Sequence, residues 1–166
     1  MRRPILTPCL LALAALGLFA GCKKEDAVIE NAKVPRLFIE TRGVNYGALG
    51  GQVFTLPVSG TSISVQKEPL VSEFEILNVE MVKVDMGVAL LVQVSAKAAR
   101  DLYRGSVSNM GGRIVLTVNG TPIGARRIDG AFQDGNFYTF VEVDDDELGQ
   151  LVLDIKATLA DIQKKK

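Results

Sequence analysis

There is no histidine among the 166 residues, no tryptophan, and only two cysteines, Cys9 and Cys22. Without histidine there can be no Ser-His-Asp triad, no Cys-His dyad and no His-ligated zinc. An excess of one charge is also missing, since 19 Lys and Arg balance 19 Asp and Glu. That balance speaks against nucleic acid as a partner, because such proteins carry a clear basic excess. No apolar run is long enough to span a bilayer. The run Leu10–Ala20 holds 11 residues, against about 20 for a membrane-spanning helix. The length fits a single domain.

The amino terminus carries an address. Arg2 and Arg3 precede the short apolar run, which ends in Leu18-Phe19-Ala20-Gly21-Cys22 and gives way at once to Lys23-Lys24-Glu25-Asp26. A positive start, a short apolar core and small residues before a cysteine resemble the bacterial lipoprotein signal, or lipobox. The resemblance implies cleavage between Gly21 and Cys22 and a diacylglyceryl group on the Cys22 thiol. It also implies a membrane partner through the lipid anchor, on the cell membrane or the outer membrane, facing the periplasm. Lys23, in place of the aspartate that favours inner-membrane retention, leans towards the outer membrane.

Residues 1–21 are therefore expected to be a signal peptide, 22–33 a lipidated cysteine with its tether, and 34–166 one folded domain. Cleavage leaves 145 of the 166 residues, and losing Arg2 and Arg3 leaves 17 basic against 19 acidic side chains. Cys9 departs with the signal and Cys22 is acylated, so no disulfide is available even in an oxidising compartment. The domain must hold by core packing, and its length suffices for that.

Hydrophobic periodicity supplies the elements. Strands are expected around Leu37–Ile39, Gln52–Pro57, Thr61–Gln66, Phe74–Asp85 and Val88–Val94. The alternation in Phe74–Asp85 slips near Leu77 and again near Val82, which predicts one or two bulges. The nearly unbroken apolar run Val88–Val94 reads as a central strand. Ser95 caps a helix that Gly111-Gly112 stops. Arg113–Val118 alternates, and Asn119-Gly120 predicts a two-residue hairpin turn. Asp134-Gly135 precedes a strand over Phe137–Val143. Leu148, Leu151, Val152, Ile155, Leu159 and Ile162 mark a final amphipathic helix, with Asp144 and Glu147 as its predicted capping box. The order from Phe74 is β-β-α-β-β-β-α. The expected fold is α+β, a mostly antiparallel sheet with two amphipathic helices packed on one face.

Chemistry-bearing motifs are few. Gly43, Gly47, Gly50 and Gly51 lack the Gly-Lys-Ser/Thr and following helix of a phosphate loop and read as a turn between strands. The run Asp144–Glu147 lacks the alternating carboxylates of a calcium loop and reads as a helix start. No metal or cofactor is implied. Arg126 and Arg127 stand out as a candidate binding patch for an anion or acidic peptide, with Arg100, Arg104 and Arg113 as possible members. The bland alternative is a solvated face paired with Glu142 or Asp129. On a strand Arg126 and Arg127 alternate faces, so at most one is expected on any given surface.

The stretch from about Val88 to Ile162 resembles the head region of the first periplasmic domain of SecD and SecDF, membrane subunits of bacterial protein export. The resemblance is carried by Ser95, Ala98-Ala99 and Leu102, by Gly112-Arg113-Ile114-Val115-Leu116, and by Val118-Asn119-Gly120 and Ile123. Asp134-Gly135 before an aromatic-rich strand completes it. It implies a small α+β head that contacts polypeptide, with edge-strand pairing as a suitable mode. The functional expectation is a lipid-anchored, non-catalytic binding or assembly module of the cell envelope with a protein or peptide partner. The alternative is a small-ligand-binding lipoprotein or an envelope enzyme using carboxylates.

Overall fold

The computed structural model describes residues 32–41 and 51–165. The signal segment, Gly21, Cys22, most of the tether and Gly43, Gly47 and Gly50 lie outside the described residues. The elements are β1 (Pro35–Ile39), β2 (Gln52–Thr55), β3 (Ser62–Val65), β4 (Ile76–Val84), β5 (Gly87–Val94), α1 (Ala96–Ser108), β6 (Arg113–Val118), β7 (Thr121–Arg127), β8 (Asn136–Thr139) and α2 (Asp145–Lys164). The order from β4 onward is the expected β-β-α-β-β-β-α, and the class is α+β with antiparallel pairing throughout.

One sheet was expected, and the strands divide among three: β1-β6-β7, β2-β3 and β4-β5-β8. The reason lies in β6, which is apolar on both faces. Ile114, Leu116 and Val118 enter the main core together with Ala98 and Leu102 of α1 and Leu148, Val152, Ile155 and Leu159 of α2. Val115, on the opposite face, joins a second cluster with Phe38, Phe54, Leu56, Ile63 and Val65. The β2–β3 hairpin therefore covers the side of the β1-β6-β7 sheet that faces away from the main core. Burying a Leu, Ile or Phe side chain contributes about 1.5–3 kcal/mol, which makes this second layer a substantial part of the fold.

Local signals explain most boundaries. The Ser95 hydroxyl accepts from the Ala98 amide and starts α1. Asn119 has φ 52° and Gly120 φ 80°, the left-handed pair that a tight hairpin turn requires. The Asn119 side chain also accepts from the Val34 amide at 2.8 Å and donates to the Ala32 carbonyl at 2.9 Å, fixing where the tether meets the domain. In β4 the register shifts between Ile76 and Asn78, as expected near Leu77. The second slip, near Val82, is not a bulge: pairing with β5 runs unbroken from Asn78 to Val84.

The predicted capping box at α2 does not form. Asp144 occupies the N-cap position but makes no side-chain cap hydrogen bond. The carboxylates of the first turn still suit the positive end of the helix. A capping box forms instead at Ser72 and Glu75, around the 3-10 turn Glu73–Glu75 that leads into β4. No described helix is long and apolar enough to cross a membrane.

Candidate functional site

The side of the β4-β5-β8 sheet turned away from the main core is set by strand register. Asn78, Gln93 and Asn136 form one row across it, with Asn78 Nδ2 donating to Gln93 Oε1 at 3.0 Å and Gln93 Nε2 to Asn136 Oδ1 at 3.4 Å. The next row is Glu80, Leu91 and Tyr138. Tyr138 and, just beyond the strand, Phe140 remain 37% and 45% exposed. They place two partly exposed aromatic side chains close together along one edge.

That edge is the outer edge of β8, the last strand of its sheet. It faces β7, the last strand of the β1-β6-β7 sheet. At one end the two strands are joined. The chain leaving β8 crosses β7 so closely that the Glu142 amide donates to the Ile123 carbonyl at 2.6 Å. Gly124 is required beneath this crossing, because a Cβ there would collide with the Phe140 carbonyl oxygen. Glu142 is held further by accepting from the Val58 and Ser59 amides, at 2.7 and 3.0 Å.

Beyond Gly124 the gap between β7 and β8 is bridged by a side chain. Arg126 Nη1 donates to the Tyr138 carbonyl at 3.1 Å, and its guanidinium lies 5.2 Å from the centre of the Phe132 ring. Arg126 thus holds a carbonyl that faces away from β5. A groove of about 510 Å³ lies on one side of this bridge and reaches the tip of the β4–β5 hairpin at Val84, Asp85 and Met86. A second, of about 430 Å³, lies on the other side, towards Phe132 and Asp134. A third, of about 690 Å³, shares Gln133 and Asp134 with the second and extends to Arg100, Tyr103 and Arg104 of α1. The first two make a trough along β8, divided by Arg126; the third lies beside α1 and is lined by no residue of β8.

The structure brings two of the five arginines singled out from the sequence, Arg126 and Arg127, to the trough along β8. Arg100 and Arg104 line the separate groove beside α1. Arg113 instead sits 3.7 Å from Glu40. Arg127 lies 3.2 Å from Asp129 and Arg104 3.4 Å from Asp101, all four side chains being substantially exposed except the half-buried Asp101. Such pairs contribute about 0–1 kcal/mol and exchange readily. Asp134 accepts from the Asn136 side chain and backbone amide, which holds its carboxyl below the ordinary value. The expectation that Arg126 and Arg127 could not share a surface is corrected. The groove runs along the edge of β7, at its last residues, and an edge meets side chains from both faces.

Tyr138, Phe140 and Phe132 are the site residues that sequence reasoning passed over. Tyr138 and Phe140 alternate with the buried Phe137 and Thr139, so two aromatics on the polar side of a strand were the available signal. The acidic start of α2 gathers no metal site, and among the described residues no three Asp, Glu, Cys or His side chains could hold an ion. A tighter ion pair lies elsewhere. Arg36 donates through Nε and Nη2 to both carboxylate oxygens of Glu73, at 2.6 and 2.7 Å. The Arg36 hydrogen bonds pull Glu73 below the ordinary carboxyl value against the opposing effect of burial.

No protein-family model matches the chain, and no curated protein matches it. Its fold is similar to solved structures of SecDF, two of which follow. One is the crystal structure of SecDF in a super-membrane-facing form, with 13% identity, a TM-score of 0.56, and coverage of 75% of this chain and 19% of that one. The other is SecDF, described as a membrane component that enhances protein export, with 12% identity, a TM-score of 0.55, and coverage of 76% and 63%. The chain thus spans about a fifth of the first and under two thirds of the second. The likeness is one of fold, and it supports the SecD-like resemblance read from Val88–Ile162 at that level.

Proposed function

We propose that the protein is a lipid-anchored module of the bacterial cell envelope that binds polypeptide and catalyses nothing. Cys22 is its lipid attachment point, Gly21 the last residue of the removed signal, and the tether holds the domain near the cell membrane or outer membrane on the periplasmic side. The observation that carries the binding role is the trough along the outer edge of β8, between it and the end of β7. It combines exposed aromatic side chains, an outward-facing backbone carbonyl and arginines, which are the groups an extended chain needs from a partner. One of the SecDF structures with this fold is described as a membrane component that enhances protein export, which agrees with polypeptide as the ligand class. The missing histidine, and the use of the remaining cysteine for acylation, leave binding as the better reading over catalysis.

A photocrosslinking amino acid at position 138 in intact cells tests this directly. Crosslinks to other polypeptides are expected from position 138 and not from position 153, where Leu153 is exposed on α2 far along the chain from β8. Equal labelling from both positions, or none from 138, would refute the reading.

A further inference from the structure

We infer that the end of the domain where the tether enters docks on the bilayer surface, with Phe74 and Leu77 seated at the boundary between headgroups and acyl chains. The inference rests on the proposed lipid anchor at Cys22 and deepens it. The anchor holds the domain near a membrane, and this end is the face turned to the lipid.

Three observations carry it. First, the tether is fixed where it meets the domain. The Asn119 side chain holds both Ala32 and Val34, and the Lys33 amide donates to Thr158 Oγ1 on α2 at 2.8 Å. Residues 23–32 separate Cys22 from this junction, a reach of at most about 35 Å. A lipid on Cys22 keeps this end of the domain within that distance of the bilayer.

Second, the same end exposes apolar side chains. Arg36, just inside the junction, binds both carboxylate oxygens of Glu73, which places the turn Glu73–Glu75 beside it. Phe74, in that turn, is 57% exposed and Leu77 is 52% exposed. Leu77 falls where the register of β4 skips from Ile76 to Asn78, so it has no partner on β5. A bulge of this kind re-aims a side chain. Gln163 donates to the Leu77 carbonyl at 3.1 Å, and Lys156 lies 3.7 Å from Glu80. β4 and α2 therefore run antiparallel, and Phe74 lies towards the last residues of α2.

Third, the charges at this end do not oppose a lipid surface. Glu73 pairs with Arg36, Glu75 with Lys97 and Asp161 with Lys165. Lys33 and Lys164 pair with no carboxylate among the described residues. Asp134, across the β4-β5-β8 sheet, shares its groove with Arg100. Residues 23–32 hold Lys23 and Lys24 against Glu25, Asp26 and Glu30. No acidic excess results, and lysine side chains can reach headgroup phosphates while apolar neighbours sink deeper.

Two apolar side chains bind a bilayer only weakly by themselves. Anchoring makes the contact intramolecular, with an effective concentration in the millimolar range for a short linker, so weak docking suffices. The tip of the β4–β5 hairpin then points away from the lipid, since Val84 lies about 23 Å along β4 from Leu77 at roughly 3.3 Å per residue. The groove of about 510 Å³ reaches that tip at Met86 and stays open to a polypeptide.

The chain has no tryptophan, so Phe74→Trp, Leu77→Trp and Met86→Trp each supply a single fluorophore. The lipidated form of each is purified from membranes. It is reconstituted into vesicles of phosphatidylcholine and phosphatidylglycerol, with or without bromine near the top of the acyl chains. Brominated lipid is expected to quench positions 74 and 77 at least twofold, with emission shifted to the blue. Met86→Trp, at a residue 83% exposed on the far tip, should keep its intensity. Position 86 also controls for the pull of tryptophan itself towards bilayer interfaces. If Cys22 is acylated by mass spectrometry and neither 74 nor 77 is quenched more than 86, the docking face is overturned and the anchor stands. A mature protein whose Cys22 carries no lipid overturns the anchor and this inference together.

Discussion

Gly124→Ala should be among the more damaging single-methyl additions in this protein. Gly124 lies under the crossing of Phe140–Glu142 over β7. An added methyl would collide with the Phe140 carbonyl oxygen and sit 3.1 Å from Val141 Cγ1 and 3.2 Å from Val141 Cα. Two of these three neighbours are backbone atoms, so no rotamer change relieves the clash. The crossing strand must lift away. Lifting it lengthens or breaks the Glu142 to Ile123 hydrogen bond, now 2.6 Å, and drags the carboxylate that holds the Val58 and Ser59 amides. Overpacking costs about 1–3 kcal/mol, and losing a backbone hydrogen bond adds about 0.5–1.5 kcal/mol. The expected destabilisation is about 2–4 kcal/mol, against a total of about 5–15 kcal/mol for a domain. Urea unfolding followed by far-UV dichroism measures it. At a slope of about 1–3 kcal/mol per molar, the midpoint should fall by about 1–2 M with the slope unchanged. Gly149→Ala is the control, because a methyl there meets nothing within 4 Å on a helix. It should be neutral or stabilising by up to about 1 kcal/mol. A Gly124→Ala midpoint equal to the parent's would show that the crossing is not tight and that the trough is not closed at that end.

Cys22→Ser should abolish incorporation of a labelled lipid precursor and leave an unprocessed or released protein; a mutant labelled like the parent would refute the lipoprotein assignment. Asn119→Ala removes both hydrogen bonds to Ala32 and Val34 and places alanine at φ 52°, so a loss of about 1–2 kcal/mol in denaturant stability is expected. Asn119→Gly should recover part of it by restoring the backbone freedom. Glu73 is held below its ordinary value of 4.5 by Arg36, and Glu75 likewise by Lys97. Their contribution to stability is therefore complete above about pH 4.5 and is lost as the pH falls through the lower folded-state values. Glu73→Gln should flatten the acid side of the stability profile; an unchanged profile would contradict the ion pair.

Periodicity made the long elements legible. The stripe from Leu148 to Leu159 gave α2 because each apolar residue returns to one helix face; Leu148, Val152, Ile155 and Leu159 are buried, and Leu151 is half-buried against them. Asn119-Gly120 was legible because its chemistry is local to two residues. What was not legible depends on contacts between distant segments. Nothing local to Gln52–Thr55 or Ser62–Val65 tells that this hairpin forms its own sheet over the second face of β6; Val115 decides that, fifty residues away or more. The capping box appeared at Ser72 and Glu75 rather than at Asp144 and Glu147, although the Ser-x-x-Glu signature stood in the sequence at the first pair. The arginines of the candidate site were visible as residue types. Their placement was not, because where Arg126 and Arg127 sit depends on two sheet edges, β7 and β8, that meet at Gly124 and then part around Arg126.

The most direct test of the proposed polypeptide binding at the β8 trough is an amide NMR titration of the chain with an unfolded polypeptide. Binding along β8 predicts that the largest shifts fall on Asn136–Phe140 and Ala125–Arg127, with α2 unmoved. Shifts centred on the exposed face of α2, or none at saturating polypeptide, would contradict it.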